Sequence, residues 1–238
     1  MSPHNENNQQ PLSFWKSRTG ILVQIVGVLL PSVLVLRSGN LLLIGVAVSV
    51  LLSWAALRLQ KLNWRDAGLK RPSNFGKVFL IAIIATVFLI PLSYELRDIV
   101  TALTHQQPNL DAFKAIEGNP KALLIGLVVV WVFGAFGEEM LFRGFLMNSF
   151  YKLFPENYLN DRIKWGFSLL LTSILVGFGH SYQGITGMIL TSIIGFCFGL
   201  IYLMSKRNLW PSILTHGFYD TVAFVFMFSG INLDQLFK

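Results

Sequence analysis

Seven apolar runs, separated by short polar segments, constrain this chain more than anything else in it. They fall near residues 19–36, 40–58, 77–95, 120–142, 165–181, 184–204 and 209–229. A bilayer core asks for about 20 mostly apolar residues per helical crossing. The runs therefore specify an all-α integral membrane protein, a bundle of about seven transmembrane helices. The fourth run has a helical continuation to Phe154 that lies partly along the interface, and the fifth is short. Only 13% of the residues are charged and 53% are hydrophobic, whereas soluble domains carry about 25% charged residues. The mean hydropathy is +0.58. The chain divides into a polar tail over 1–18, N-terminal transmembrane helices and loops over 19–119, a membrane core over 120–229 and a short tail over 230–238. No large soluble domain fits. The first run lacks a small-residue cleavage site after it, so it reads as a retained span.

The net charge of +7 lies mostly between the apolar runs. That pattern points to the bilayer as partner and not to nucleic acid, since loop lysines and arginines set membrane orientation. With a cytoplasmic N-terminus, 14 of the 19 basic residues fall inside. The basic and apolar loop 59–76, with Trp64, is expected on the headgroups. Phe14 and Trp15, beside Lys16 and Arg18, form an interfacial anchor. Cys197 is the one cysteine, so there is no internal disulfide. Its apolar surroundings make it a packing residue. Gly195 and Gly199, four apart, allow close helix contact. His105 sits in a polar loop and reads as solvated.

The informative residues are charged ones at membrane depth. Gly137-Glu138-Glu139-Met140-Leu141-Phe142-Arg143-Gly144 interrupts an apolar region. A charge there costs roughly 2.5–3.5 kcal/mol on the lenient scale. Glu139 and Arg143 are four apart and can neutralise each other on one helical face. Glu138 is turned about 100° away and is left free. Of the histidines, His180 and His216 lie in apolar segments, and Asp220 follows His216 by four. Each reads alone as a solvated helix end or a hydrogen-bonded packing residue. Together in one water-filled cavity they cost less and can do chemistry. Two imidazoles and a carboxylate match a catalytic zinc site. Without metal, Glu138 serves as general base on water while a neighbour stabilises the oxyanion. No Gly-x-Ser-x-Gly and no His-Glu-x-x-His is present.

Glu138-Glu139-x-x-x-Arg143, His180 at the end of an apolar helix and His216-x-x-x-Asp220 resemble the three motifs of the CPBP family. That family holds the type II CAAX prenyl endopeptidases and the bacteriocin-processing or immunity (Abi) homologues. Arg143-Gly144, Tyr182-Gln183-Gly184 and Leu209-Trp210-Pro211-Ser212-Ile213 match its context, over about 120–222. The second motif is usually Phe-x-x-x-His, and here Val176 holds the aromatic's place. The resemblance implies intramembrane proteolysis of a prenylated, bacteriocin-like or membrane-anchored peptide, in a polar cavity open to the cytoplasmic side. Glu138 and His180 activate water, His216 and Asp220 complete the ligand set or hold the oxyanion, and Glu139 and Arg143 position the helix. It leans toward zinc on Glu138, His180 and His216. A non-catalytic immunity or scaffold protein, or a transporter using the same groups as a proton relay, is the alternative. At ~1.5 Å per residue, counting from the span ends puts Glu138 and His216 in the cytoplasmic half and His180 nearer the other face. The fifth span is therefore expected to start later, tilt or re-enter.

Overall fold

Asparagine starts four of the helices. Asn74, Asn119, Asn160 and Asn208 each accept a first-turn N–H with the side chain, from Lys77, Ala122, Ile163 and Trp210. Such caps satisfy donors that a helix end leaves unpaired. The computed structural model describes residues 14–35, 41–155 and 159–231. The expected tails lie largely outside these residues, as do His4, Arg37 and Lys238. The helices are α1 (Arg18–Val35), α2 (Leu42–Leu59), α3 (Phe75–Thr104), α4 (Pro120–Leu153), α5 (Asp161–Gly179), α6 (Gly184–Met204) and α7 (Leu209–Ser229). Among the described residues there is no strand.

These seven rods are the seven expected segments with different ends. The α3 helix has 30 residues and runs through Pro91, where the sequence suggested 77–95. His105, in the left-handed region at φ 55°, ends it. In α4, 34 residues long, Glu138 lies in the middle and not near the end. Four segments are long and apolar enough to cross a membrane: Arg18–Val35, Phe75–Thr104, Pro120–Leu153 and Ser181–Met204. The more polar α5 and α7 carry His180 at the end of one and His216 and Asp220 within the other.

The centre of α4 is wound as a π-helix over Val130–Glu138 and Met140–Met147. Its i→i+5 bonding is rare and often marks functional sites. The Asn148 side chain donates to the carbonyls of Arg143 and Gly144, both at 2.9 Å, and closes the stretch. Met140–Met147 is buried throughout. Leu141, Phe145 and Leu146 pack on Ile21, Ile25 and Val28 of α1 and on Leu57 of α2. Met147 joins Leu209, Ile213 and Tyr202. The helices pair as α1 with α2, α3 with α7 and α5 with α6, and α4 runs among them.

Loop 59–76 packs against one end of the bundle. Ala67 is buried and its carbonyl accepts from Tyr202 Oη at 3.3 Å, while Trp64 packs on the core. At the other end, the loop after α3 crosses the bundle. Asn109 N–H donates to the Gln183 carbonyl at 2.9 Å, and Gly118 N–H to that of Phe228 at 3.0 Å. His105 is exposed there, as expected.

Candidate active site

Glu139 is completely buried, and Arg143 is 2% exposed. Arg143 Nη1 donates to Glu139 Oε1 at 2.7 Å. Its Nη2 donates to the Gly195 carbonyl. The guanidinium also lies 5.8 Å from the Phe198 ring centroid. Gly195 and Gly199 make its cradle. A Cβ on Gly195 would meet Val176 Cγ1 at 3.1 Å and Arg143 Nη2 at 3.4 Å, and one on Gly199 would run into Leu169. The close helix contact expected from the two glycines is present, and an arginine lies against it.

Glu139 Oε1 has a second partner, His216 Nδ1 at 3.0 Å. The other ring nitrogen, Nε2, is 3.4 Å from Asp220 Oδ2. Both imidazole nitrogens therefore face carboxylate oxygens. Phe198 stacks on the ring at 4.6 Å. Glu139 Oε2 has no hydrogen bond, and Ser212 nearby turns its hydroxyl to the Leu209 carbonyl at 3.2 Å. Arg143, Glu139, His216 and Asp220 thus form one polar chain from α6 through α4 to α7. Gly134 leaves space at its far end. A Cβ there would lie 3.5 Å from Asp220 Oδ2 and 3.9 Å from His216 Nε2.

Glu138 differs from its neighbour. It is half-buried, and among the described residues its carboxylate makes no hydrogen bond or ion pair. His180 caps the end of α5, and its Nδ1 is 2.8 Å from the Val176 carbonyl. That contact assigns the Nδ1 proton to the carbonyl and leaves Nε2 as a bare acceptor. Val176 packs on Gly195, at the level of the Arg143 guanidinium. His180 stands one turn past that layer, ~6 Å, on the side where Glu138 and Gly134 lie. The expected remedy was a later start, a tilt or a re-entry of the fifth span. In fact α5 starts earlier, at Asp161. What removes the height mismatch is the extension of α4 to Leu153, which moves Glu138 to mid-bundle. Tyr182 links the groups. Its ring is 5.9 Å from that of His180, and it lies within electrostatic reach of Glu138 and Asp220.

Glu138, His180 and His216 are the three residues expected to hold zinc. Among the described residues, no three His, Cys, Asp or Glu side chains are grouped to hold a metal ion. His216 gives both nitrogens to carboxylates, and Glu138 and His180 make no direct contact. As they stand, Glu138, His180 and His216 do not form a three-ligand metal centre.

Two contributors were not singled out in the sequence. Tyr182 was only part of a context string, although it follows the site histidine by two. Gly134 matters as a gap at the site, between α4 and the His216–Asp220 face of α7. The resemblance in the motifs has an independent counterpart. A family model described as type II CAAX prenyl endopeptidase Rce1-like matches residues 120–222. No curated protein and no solved structure matches the chain.

Proposed function

From the match of residues 120–222 to the type II CAAX prenyl endopeptidase Rce1-like family model, we propose that the chain hydrolyses a peptide bond within the membrane, with Glu138 as general base. The observation that carries the proposal is the contrast between adjacent carboxylates. Glu139 is buried and bound to Arg143 and His216, whereas Glu138 is half-buried and unengaged among the described residues. A base must have a lone pair free for its proton, and Glu138 has one.

Water between Glu138 and His180 gives one hydrogen to each as donor. His180 Nε2 accepts and orients it, because Nδ1 is tied to the Val176 carbonyl. The water oxygen attacks the scissile carbonyl carbon, and Glu138 takes the proton. The oxyanion that forms enters the gap at Gly134 beside the His216 ring, whose Nε2 turns to it from Asp220 Oδ2, 3.4 Å away. When the intermediate collapses, the C–N bond breaks and Glu138 returns the proton to the leaving amine. Glu139 and Arg143 act by position, holding His216 at the gap.

The substrate proposed is a membrane-anchored peptide whose scissile bond lies near a lipid chain, with a prenylated C-terminal tetrapeptide as the first case. The test uses the purified chain in proteoliposomes with a prenylated peptide and its unprenylated twin. Cleavage of the prenylated peptide is expected, with a loss of ~10²–10⁴-fold in Glu138→Gln at an unchanged unfolding temperature. Unchanged turnover in Glu138→Gln would remove the base from the scheme.

A further inference from the structure

A cavity of about 230 Å³ lies at the end of the bundle where loop 59–76 meets the C-terminal end of α4. It shares no residue with the site above. Lys152 and Arg207 line it, and Asp66 is the acid among its lining residues. We propose that this cavity binds a phosphate group, such as the headgroup phosphate of an anionic lipid.

The argument starts with Lys152. Its ammonium is half-buried and donates to Gln60 Oε1 at 2.7 Å. Gln60, itself 2% exposed, is fixed by donating from Nε2 to Gln24 Oε1 at 2.9 Å. An ammonium has three donors, and a neutral amide supplies no charge. Among the described residues Lys152 forms no ion pair. Lys16 stands near enough to repel it, and Asp66 near enough to attract. Asp66 is already engaged, accepting from Asn63 N–H at 2.9 Å.

Arg207 adds a further positive charge. Its backbone is in the left-handed region, at φ 57°, and its guanidinium lies 5.1 Å from the Trp165 ring centroid. Asp161 also faces it, but that carboxylate accepts from Tyr151 Oη at 2.7 Å and is 3.6 Å from Lys164. Lys152 and Arg207 thus line the cavity with one acid, Asp66, which already accepts from Asn63 N–H, and Lys16 adds positive charge beside Lys152. Such an excess is relieved by an oxyanion. Lysine meets it as a point charge and arginine as a two-pronged donor.

The setting selects phosphate at a membrane surface. Trp15, Trp64 and Trp165 cluster at this end, and tryptophans of membrane proteins gather at headgroup depth. Asn148, which closes the π-helical stretch, lines the same cavity. A bound headgroup would therefore brace the C-terminal end of α4.

The test follows thermal unfolding and native mass spectra of the full chain with phosphatidylglycerol, with phosphatidylcholine, and with inorganic phosphate against chloride at matched ionic strength. Phosphatidylglycerol is expected to raise the midpoint and to remain bound. One basic contact is worth about fivefold in affinity, so Lys152→Gln and Arg207→Gln each lose about that factor. Lys121→Gln, at the opposite end of α4, responds as the wild type. A shift with inorganic phosphate that the same variants lose supports the site with a soluble source. Equal responses of wild type, Lys152→Gln and Arg207→Gln, or no response to either source, overturn it. Arg207 is exposed, so Arg207→Gln keeps the test open if Lys152→Gln does not fold.

Discussion

Glu139→Ala should unfold this protein more readily than any other change at the site, and Arg143→Met should partly rescue it. Glu139 is fully buried and its Oε1 accepts from both Arg143 and His216. Truncating it leaves the guanidinium, 2% exposed, with only the Gly195 carbonyl. Breaking a buried pair by removing one partner costs ~3–5 kcal/mol, because the remaining charge is uncompensated. Against a total of ~5–15 kcal/mol, that is a large share. Removing both charges avoids the uncompensated state, so the double variant should be more stable than the sum of the singles implies. The measured quantity is the coupling energy from a double-mutant cycle of reversible unfolding in detergent. Contacting residues give couplings of ~0.5–3 kcal/mol, and the upper half is expected here. A coupling near zero would refute the reasoning, since the guanidinium would then not depend on Glu139.

Filling the gap tests the proposed oxyanion position. Gly134→Ala, whose Cβ lies 3.5 Å from Asp220 Oδ2, should fold and cleave more slowly, and Gly134→Leu should fold and not cleave; equal turnover in all three contradicts the assignment. Val176→Phe restores the usual aromatic of the motif but forces it against Gly195, 3.1 Å from Val176 Cγ1 as a Cβ. It should cost ~1–3 kcal/mol by overpacking, read as a lower unfolding temperature. Exhaustive chelation followed by zinc should leave cleavage unchanged; loss on chelation and recovery with zinc would put Glu138, His180 and His216 on a metal after all.

The seven rods were legible because the apolar runs are close to bilayer length and the asparagine caps mark four of the starts. Their ends were less legible. Arg143 and Lys152 look like the edge of a span, yet both are inside the bundle, the first with Glu139 and the second with Gln60. That partnering let α4 extend to Leu153 and moved Glu138 to mid-bundle. The pairing of Glu139 with Arg143 follows from i,i+4 spacing and is present. The third partner of that pair, His216, comes from another helix 77 residues away. No local spacing encodes it. Winding of α4 as a π-helix also left no mark in the hydropathy pattern. Val176 looked like a broken motif, but the position contributes its backbone carbonyl, which any residue carries.

The central claim is that Glu138 and His180 face one shared space while Glu139 faces away into its ion pair. Cys197 is the one native cysteine, so Cys197→Ser gives a clean background for paired cysteines and a short bifunctional thiol reagent. The account predicts rapid bridging of Glu138→Cys with His180→Cys in the folded protein, and none of Glu138→Cys with Leu200→Cys. Failure of the first pair to bridge, with unfolding temperature unchanged, would contradict it.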